Sequence, residues 1–141
     1  MAITVESDSI THGERVPDAH AFGVPDGEGG AAAEGAGSTE IVVGGKDPGP
    51  TDHGVGGVNS YTDFLAGDPD MEGTYGHYDG PFPPFNDERL HHYHFVVYAL
   101  DVPSLGLEGE FKLDDIREAI DGHVLDEGEL VATYTLYEDL L

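Results

Sequence analysis

The chain predicts an all-β fold with a minor helical part, and three stretches of sequence predict it. From His91 to Leu100 a period of two places His91, Tyr93, Phe95, Val97 and Ala99 on one face and His92, His94, Val96, Tyr98 and Leu100 on the other, as in a strand. From Glu129 onward Leu130, Ala132, Tyr134 and Leu136 alternate with Val131, Thr133 and Thr135, the pattern of a half-buried strand. Between these two, Leu113, Ile116, Ala119 and Ile120 recur at helical spacing, which predicts one C-terminal helix.

Taken in order, Ile3 to Val5 reads as a short opening strand, with turn chemistry at Gly13 and Pro17. Twelve of the 21 glycines lie between Gly23 and Gly57, so residues 23–57 form a Gly-rich loop or linker that can bury little, except for a strand candidate at Glu40 to Val43. Gly44-Gly-Lys46 lacks the Ser or Thr ending of a phosphate loop and reads as a turn. Asp68-Pro-Asp70 likewise reads as a turn in an insertion loop. Residues 58–136 are the best-defined folded part of a single domain spanning 1–141, and no internal repeat is visible. Asp101 and Pro103 stop the first long strand, and Gly122 ends the helix. Asp114 and Asp115 lie early in that helix, where they suit its dipole, and His123 at its end is placed as a cap or core contact.

Charge sets the environment. With 29 acidic and 5 basic residues the net charge is −24, and self-repulsion at that density opposes compaction in dilute buffer. At about 1 M salt the Debye length is only ~3 Å and the repulsion is largely screened. A salt-saturated cytoplasm is the natural setting. High net charge is also the mark of disorder, against which stand seven Tyr, six Phe and the amphipathic C-terminal half. The acid excess argues against nucleic acid and anionic membrane, both of which need basic patches. The absence of cysteine excludes disulfides and thiolate metal sites. The start Met-Ala-Ile-Thr-Val-Glu has neither a basic segment nor a signal-length apolar run. The longest apolar run, Phe95 to Leu100, is far short of the ~20 residues that span a bilayer. These features predict a cytoplasmic location and no membrane insertion.

The chemistry that looks designed lies in Tyr75-Gly-His-Tyr-Asp-Gly-Pro-Phe-Pro-Pro84 and the strand after it. Pro81, Pro83 and Pro84 fix φ and remove three backbone donors, which makes the loop an extended wall, and Gly80 permits close backbone approach. Such a wall suits a small pocket, with His91 and Tyr93 at the mouth of an apolar strand face. The plain alternative is a strand end carrying a solvated histidine and a core tyrosine. His92-Tyr-His94 also has the His-x-His spacing of strand metal sites, and His53, His77 or a carboxylate would have to complete such a site. Catalysis finds no support: carboxylates are too abundant for any pair to signify, and no Ser or Lys has an activating context.

These residues resemble the phosphatidylethanolamine-binding protein family in its bacterial and archaeal Raf kinase inhibitor-like branch. Tyr78-Asp-Gly-Pro-Phe-Pro-Pro84 followed by His91-His-Tyr-His-Phe95 is similar to the family's second signature, with His92 where that signature has arginine. The helix with Gly122-His-Val-Leu125, the last strand from Glu129 to Tyr134, the opening Ile3-Thr-Val-Glu-Ser-Asp8, Gly13-Glu-Arg-Val-Pro17 and Asn59-Ser-Tyr61 also resemble family segments. The first signature, an Asp-Pro-Asp-x-Pro loop with a downstream His-Trp strand, has no counterpart, and the chain contains no Trp. The resemblance implies a β-sandwich that is internally shortened, with residues 23–57 replacing the family's central strands. It implies a non-enzymatic module, without cofactor or metal, that binds a small anion or phosphate ester or acts as a kinase-inhibitor-like regulator. Gly80, Pro83, Pro84, His91 and Tyr93 would line the pocket. Two alternatives stay open: a degenerate member acting only as an interaction protein, and a small His-ligated metal protein. If central strands are missing, an exposed sheet edge or face predicts a homodimer or a loosened monomer.

Overall fold

The computed structural model describes residues 3–21, 24–25, 31–32, 49–51, 54–70, 72–76, 78 and 80–141. The described strands are β1 (Val24–Pro25), β2 (Ala31–Ala32), β3 (Gly49–Thr51), β4 (Gly54–Gly56), β5 (His91–Leu100) and β6 (Val124–Tyr134). They form two-stranded sheets, β1 with β2, β3 with β4 and β5 with β6. Among the described residues two α-helices accompany them, α1 (Tyr61–Phe64) and α2 (Leu113–Ile120), with short 3-10 turns at Asp18–His20 and Glu138–Leu140. The chain divides into two compact units: residues 1–43, 79–99 and 126–141, and residues 44–78 and 100–125.

In the first unit the inward residues of β6 make the core. Leu130, Ala132 and Tyr134 are buried, as the alternation predicts, and Ile10, Val16, Ala21 and Leu136 close around them. Val5, Tyr93 and Phe95 pack against this cluster from its margin. Each fully buried large apolar side chain is worth about 1.5–3 kcal/mol, so a core of this size holds mainly the segments that touch it. One of them is the stretch around Arg15, which pairs in parallel with Thr133. There Gly13 N donates to Val131 O at 2.7 Å, Val16 N to Thr133 O at 2.8 Å and Thr133 N to Glu14 O at 2.9 Å. Gly13 adopts φ +82°, the left-handed region that the predicted turn needs glycine to reach. Along β5, His91, Tyr93 and Phe95 are half-buried while His92, His94, Val96 and Tyr98 are exposed. The alternation breaks at Val97, which is 46% exposed.

The opening strand predicted at Ile3 to Val5 is absent. That segment carries no assigned strand, and Ile3 N donates to Glu127 O of β6 at 3.3 Å. The chain bends at Asp8 and Ser9, where Ser7 Oγ accepts from Ser9 N at 3.1 Å and Ile10 N at 3.3 Å.

In the second unit β3 and β4 pair as an antiparallel hairpin in the register Gly49↔Gly56, Pro50↔Val55 and Thr51↔Gly54. The glycine-rich zone therefore holds ordered pairs that its composition hides. Val58 and Phe111 are buried, and Val58 N donates to Phe111 O at 2.7 Å. Gly57 is required there, because a Cβ would stand 2.5 Å from the Phe111 ring. The one-turn α1, which has no periodic signature in the sequence, is held by Thr62 Oγ1 accepting from Tyr75 N at 2.9 Å. Helix α2 has the bounds its periodicity predicts. It opens on Lys112, whose backbone N–H is capped by Asp115 Oδ2 at 2.9 Å, and Asp114 and Asp115 fill the first turn. Gly122 follows at φ +78°. Of its predicted apolar face, Ile116, Ala119 and Ile120 are half-buried while Leu113 is 52% exposed.

The strand candidate at Glu40 to Val43 and the turn at Gly44 to Lys46 lie outside the described residues, as do His53 and His77. Asp68-Pro-Asp70 is an exposed turn in which Asp68 Oδ1 accepts from Asp70 N at 2.9 Å.

Candidate functional site

The loop from Gly80 to Leu90 carries neither helix nor strand, as three prolines in four residues dictate. Gly80 sits at φ +89°, a conformation side-chain-bearing residues rarely adopt. Pro81 and Pro83 are buried and Phe82 and Pro84 exposed, so the loop presents alternate residues inward and outward. It then turns through Phe85 and Asn86, with Asp87 N donating to Pro84 O at 3.2 Å.

The turn delivers a carboxylate to the first residue of β5. Asp87 Oδ2 lies 2.8 Å from His91 Nε2. Asp87 Oδ1 accepts from Arg89 N at 3.0 Å and from Arg89 Nε at 3.2 Å, and Oδ2 accepts from Arg89 Nη2 at 3.4 Å. Hydrogen bonds from the Arg89 side chain and backbone, then from His91, hold the Asp87 carboxyl well below the usual carboxylate range. The same contact raises the Arg89 guanidinium further above its ordinary value. Asp87 is thus a fixed anion, with 16% of its side chain exposed against 87% for Arg89. The His91 ring stacks on Tyr93, with centroids 6.4 Å apart and planes at 24°. Tyr93 leans in turn on the buried core.

The predicted residues Gly80, Pro83, Pro84, His91 and Tyr93 all belong to the first unit, on one continuous loop and strand. The pairing that joins the loop to His91 comes from Asp87, which sequence reasoning missed. Its signal was present: an Asp four residues before His91 and two before Arg89 is placed for an Asx turn and an ion pair. In a chain with 29 acids such a signal is camouflaged.

Two further described histidines sit on carboxylates. His94 Nδ1 lies 3.1 Å from Glu129 Oε2 and His123 Nδ1 lies 2.7 Å from Asp101 Oδ1. His123 is therefore partnered by a carboxylate and 44% exposed, so the core-contact reading is corrected. His12 Nδ1 accepts from Val131 N at 3.0 Å. Among the described residues no group of three or more His, Asp or Glu is arranged to hold a metal ion, and no helix is long and apolar enough to cross a membrane.

A shallow cavity of about 240 Å³ opens nearby, lined by Phe85, Asn86, Tyr137, Glu138 and Asp139. The predicted ligand-binding residues do not line it. Negative charge from Glu88 and Asp139 pushes the Tyr137 phenol up, which makes this cavity a poor place for an anion.

The proline wall, its glycine and the histidine that opens β5 define a class. The sequence profile of the phosphatidylethanolamine-binding protein family matches residues 31–135, and the chain belongs to that family. A UPF0098 protein of Pyrococcus horikoshii is 46% identical over 57 residues, which are 40% of this chain and 28% of that protein. A UPF0098 protein of Methanothermobacter thermautotrophicus is 40% identical over 79 residues, 56% of this chain and 44% of its own length. A third, of Chlamydia trachomatis, is 42% identical over 55 residues, 39% of this chain and 36% of that protein. The chain therefore spans less than half the length of these relatives. No solved structure matches it.

Proposed function

We propose that the chain is a non-enzymatic module, a shortened sandwich of its family, that binds a small anion or phosphate ester beside the proline loop or acts as a kinase-inhibitor-like regulator. The observation that carries this reading is the stacked His91 and Tyr93 pair standing at the end of a wall made rigid by Pro81, Pro83 and Pro84. Asp87 Oδ2 stands 2.8 Å from His91 Nε2, so the imidazole donor that an anion would use is already placed at the end of the wall. Binding is weak, in the millimolar range, because long-range repulsion from −24 charges opposes an incoming anion.

A second reading has its own support. The carboxylate of Asp87 already sits 2.8 Å from the imidazole, as it would in a family member that has given up its ligand and acts as an interaction protein. Titration of the folded chain with phosphoethanolamine in molar salt, followed by NMR at His91 and Tyr93, separates the two. Saturable shifts that vanish in His91→Ala support the binding module; shifts identical in that variant sink it. A homodimer belongs to the same proposal, since Val96, Val97 and Tyr98 are 42%, 46% and 42% exposed on β5, and light scattering at high salt tests it.

A further inference from the structure

An oxyanion held by a guanidinium, an imidazole N–H and a backbone N–H is the usual picture of an occupied anion site. That set surrounds Asp87: Arg89 Nε at 3.2 Å and Nη2 at 3.4 Å, His91 Nε2 at 2.8 Å, and Arg89 N at 3.0 Å. The carboxylate is only 16% exposed, and it is delivered by a short turn from Pro84. An exposed phosphate would draw on the same imidazole and the same guanidinium. We infer that Asp87 is a resident anion, an intramolecular competitor that sets the affinity of the candidate site for external anions.

This inference rests on the anion-binding reading and adds its regulation. Two roles for Asp87 are distinguishable. If it only builds the turn, then Asn, which keeps the side-chain oxygen that accepts from Arg89 N, leaves anion affinity as it was. If it competes, Asn removes the charge that holds Arg89 and His91, and both become available. Charge-assisted bonds are roughly twice as strong as neutral ones, so Asp87→Asn is expected to tighten phosphate binding about tenfold. Asp87→Ser, whose hydroxyl also supports a turn, guards against a folding defect peculiar to Asn.

The experiment is an NMR titration with inorganic phosphate in molar potassium chloride of the wild type, Asp87→Asn, Asp87→Ser, and Asp87→Asn combined with His91→Ala. The expected result is saturation at about tenfold lower phosphate in both single variants, abolished in the double variant. Saturation in the single variants with none in the wild type also supports the competitor. If the wild type saturates and the single variants do so at equal or higher phosphate, the inference is overturned and the anion-binding reading stands. If neither the wild type nor either single variant saturates, both fall.

Discussion

Replacing Tyr134 with Phe removes one oxygen from the middle of the first unit and leaves the ring in place. The residue is fully buried, and its hydroxyl donates to Asp18 Oδ1 at 2.7 Å. The Arg15 guanidinium lies 4.0 Å above the ring centroid while its Nη1 reaches Thr135 O at 2.9 Å and its Nη2 reaches Asp18 Oδ1 at 2.9 Å. Phe keeps the burial and the cation–π contact, so the difference measures the hydroxyl. A bond to a charged acceptor contributes about 1.5–3 kcal/mol. Asp18 remains paired with Arg15 and is 54% exposed, so water and Arg15 satisfy it after the substitution. The expected loss at neutral pH is therefore about 1 kcal/mol.

The pH dependence is more diagnostic than the magnitude. Burial, and then the hydrogen bond to Asp18, push the Tyr134 phenol well above its ordinary 10.0. A folded-state value raised above the unfolded one means that the contribution is complete below pH 10.0 and is lost as pH rises through the folded value. Denaturant melts of wild type and Tyr134→Phe, run from neutral to strongly alkaline pH in molar salt, should therefore converge above pH 10.0. Tyr137, whose phenol is also raised, is present in both proteins and cancels in the difference. A gap between the two proteins that stays constant, or widens, on the alkaline side would refute the reasoning.

At the acid end the sign reverses. Asp87 is held below its ordinary 3.8, so its contribution is present above that value and is lost as pH falls through the lowered one; Asp87→Asn should flatten the acid limb of a stability profile. Gly128→Ala is expected to lower stability by about 1–3 kcal/mol, because the new Cβ overlaps the Ile3 carbonyl oxygen; an unchanged thermal midpoint would show that this approach is not made. Gly57→Ala should raise hydrogen exchange at the Val58 amide, since the Cβ meets the Phe111 ring at 2.5 Å and its carbonyl oxygen at 2.8 Å. With −24 charges to screen, circular dichroism across a potassium chloride series should show cooperative folding at about 1 M salt and its loss at low ionic strength; equal signals at both ends remove the halophilic reading.

What was legible in the sequence is what periodicity encodes. Leu130, Ala132 and Tyr134 announce a buried face and have it, and α2 runs between the residues its spacing gives. Ile3 to Val5 misled because three apolar-alternating residues carry no information about whether a neighbour supplies more than one rung. The hairpin of β3 and β4 was hidden for the opposite reason: glycine and proline in Gly49-Pro-Thr51 and Gly54-Val-Gly56 suppress propensity, while the backbone still pairs. In the candidate site the prolines, Gly80, His91 and Tyr93 could be read from residue type and spacing. Asp87 could not be singled out, because its role is set by a turn that brings it back onto His91 and by a background of 28 other acids that look the same.

That background also explains why an anion site in this chain should take an unusual form. The sequence holds five cations; Lys46 lies outside the described residues, and each of the other four is on a carboxylate. Arg15 is 2.9 Å from Asp18, Arg89 3.2 Å from Asp87, Lys112 2.6 Å from Asp63 and Arg117 3.9 Å from Asp114. Where acids outnumber bases so heavily, a cation left alone would soon find a carboxylate, since pairing it lowers local repulsion as well as forming the contact. An external anion that uses a cation must therefore displace a resident one. Arg89 is the cation whose resident partner also holds the histidine of the candidate site, so under the proposed function recognition there would be an exchange of carboxylate for phosphate. Exchange of like for like has little net charge gain, so the proposed site would have a ceiling at about millimolar affinity, and Asp87 would be the residue through which that ceiling could be raised.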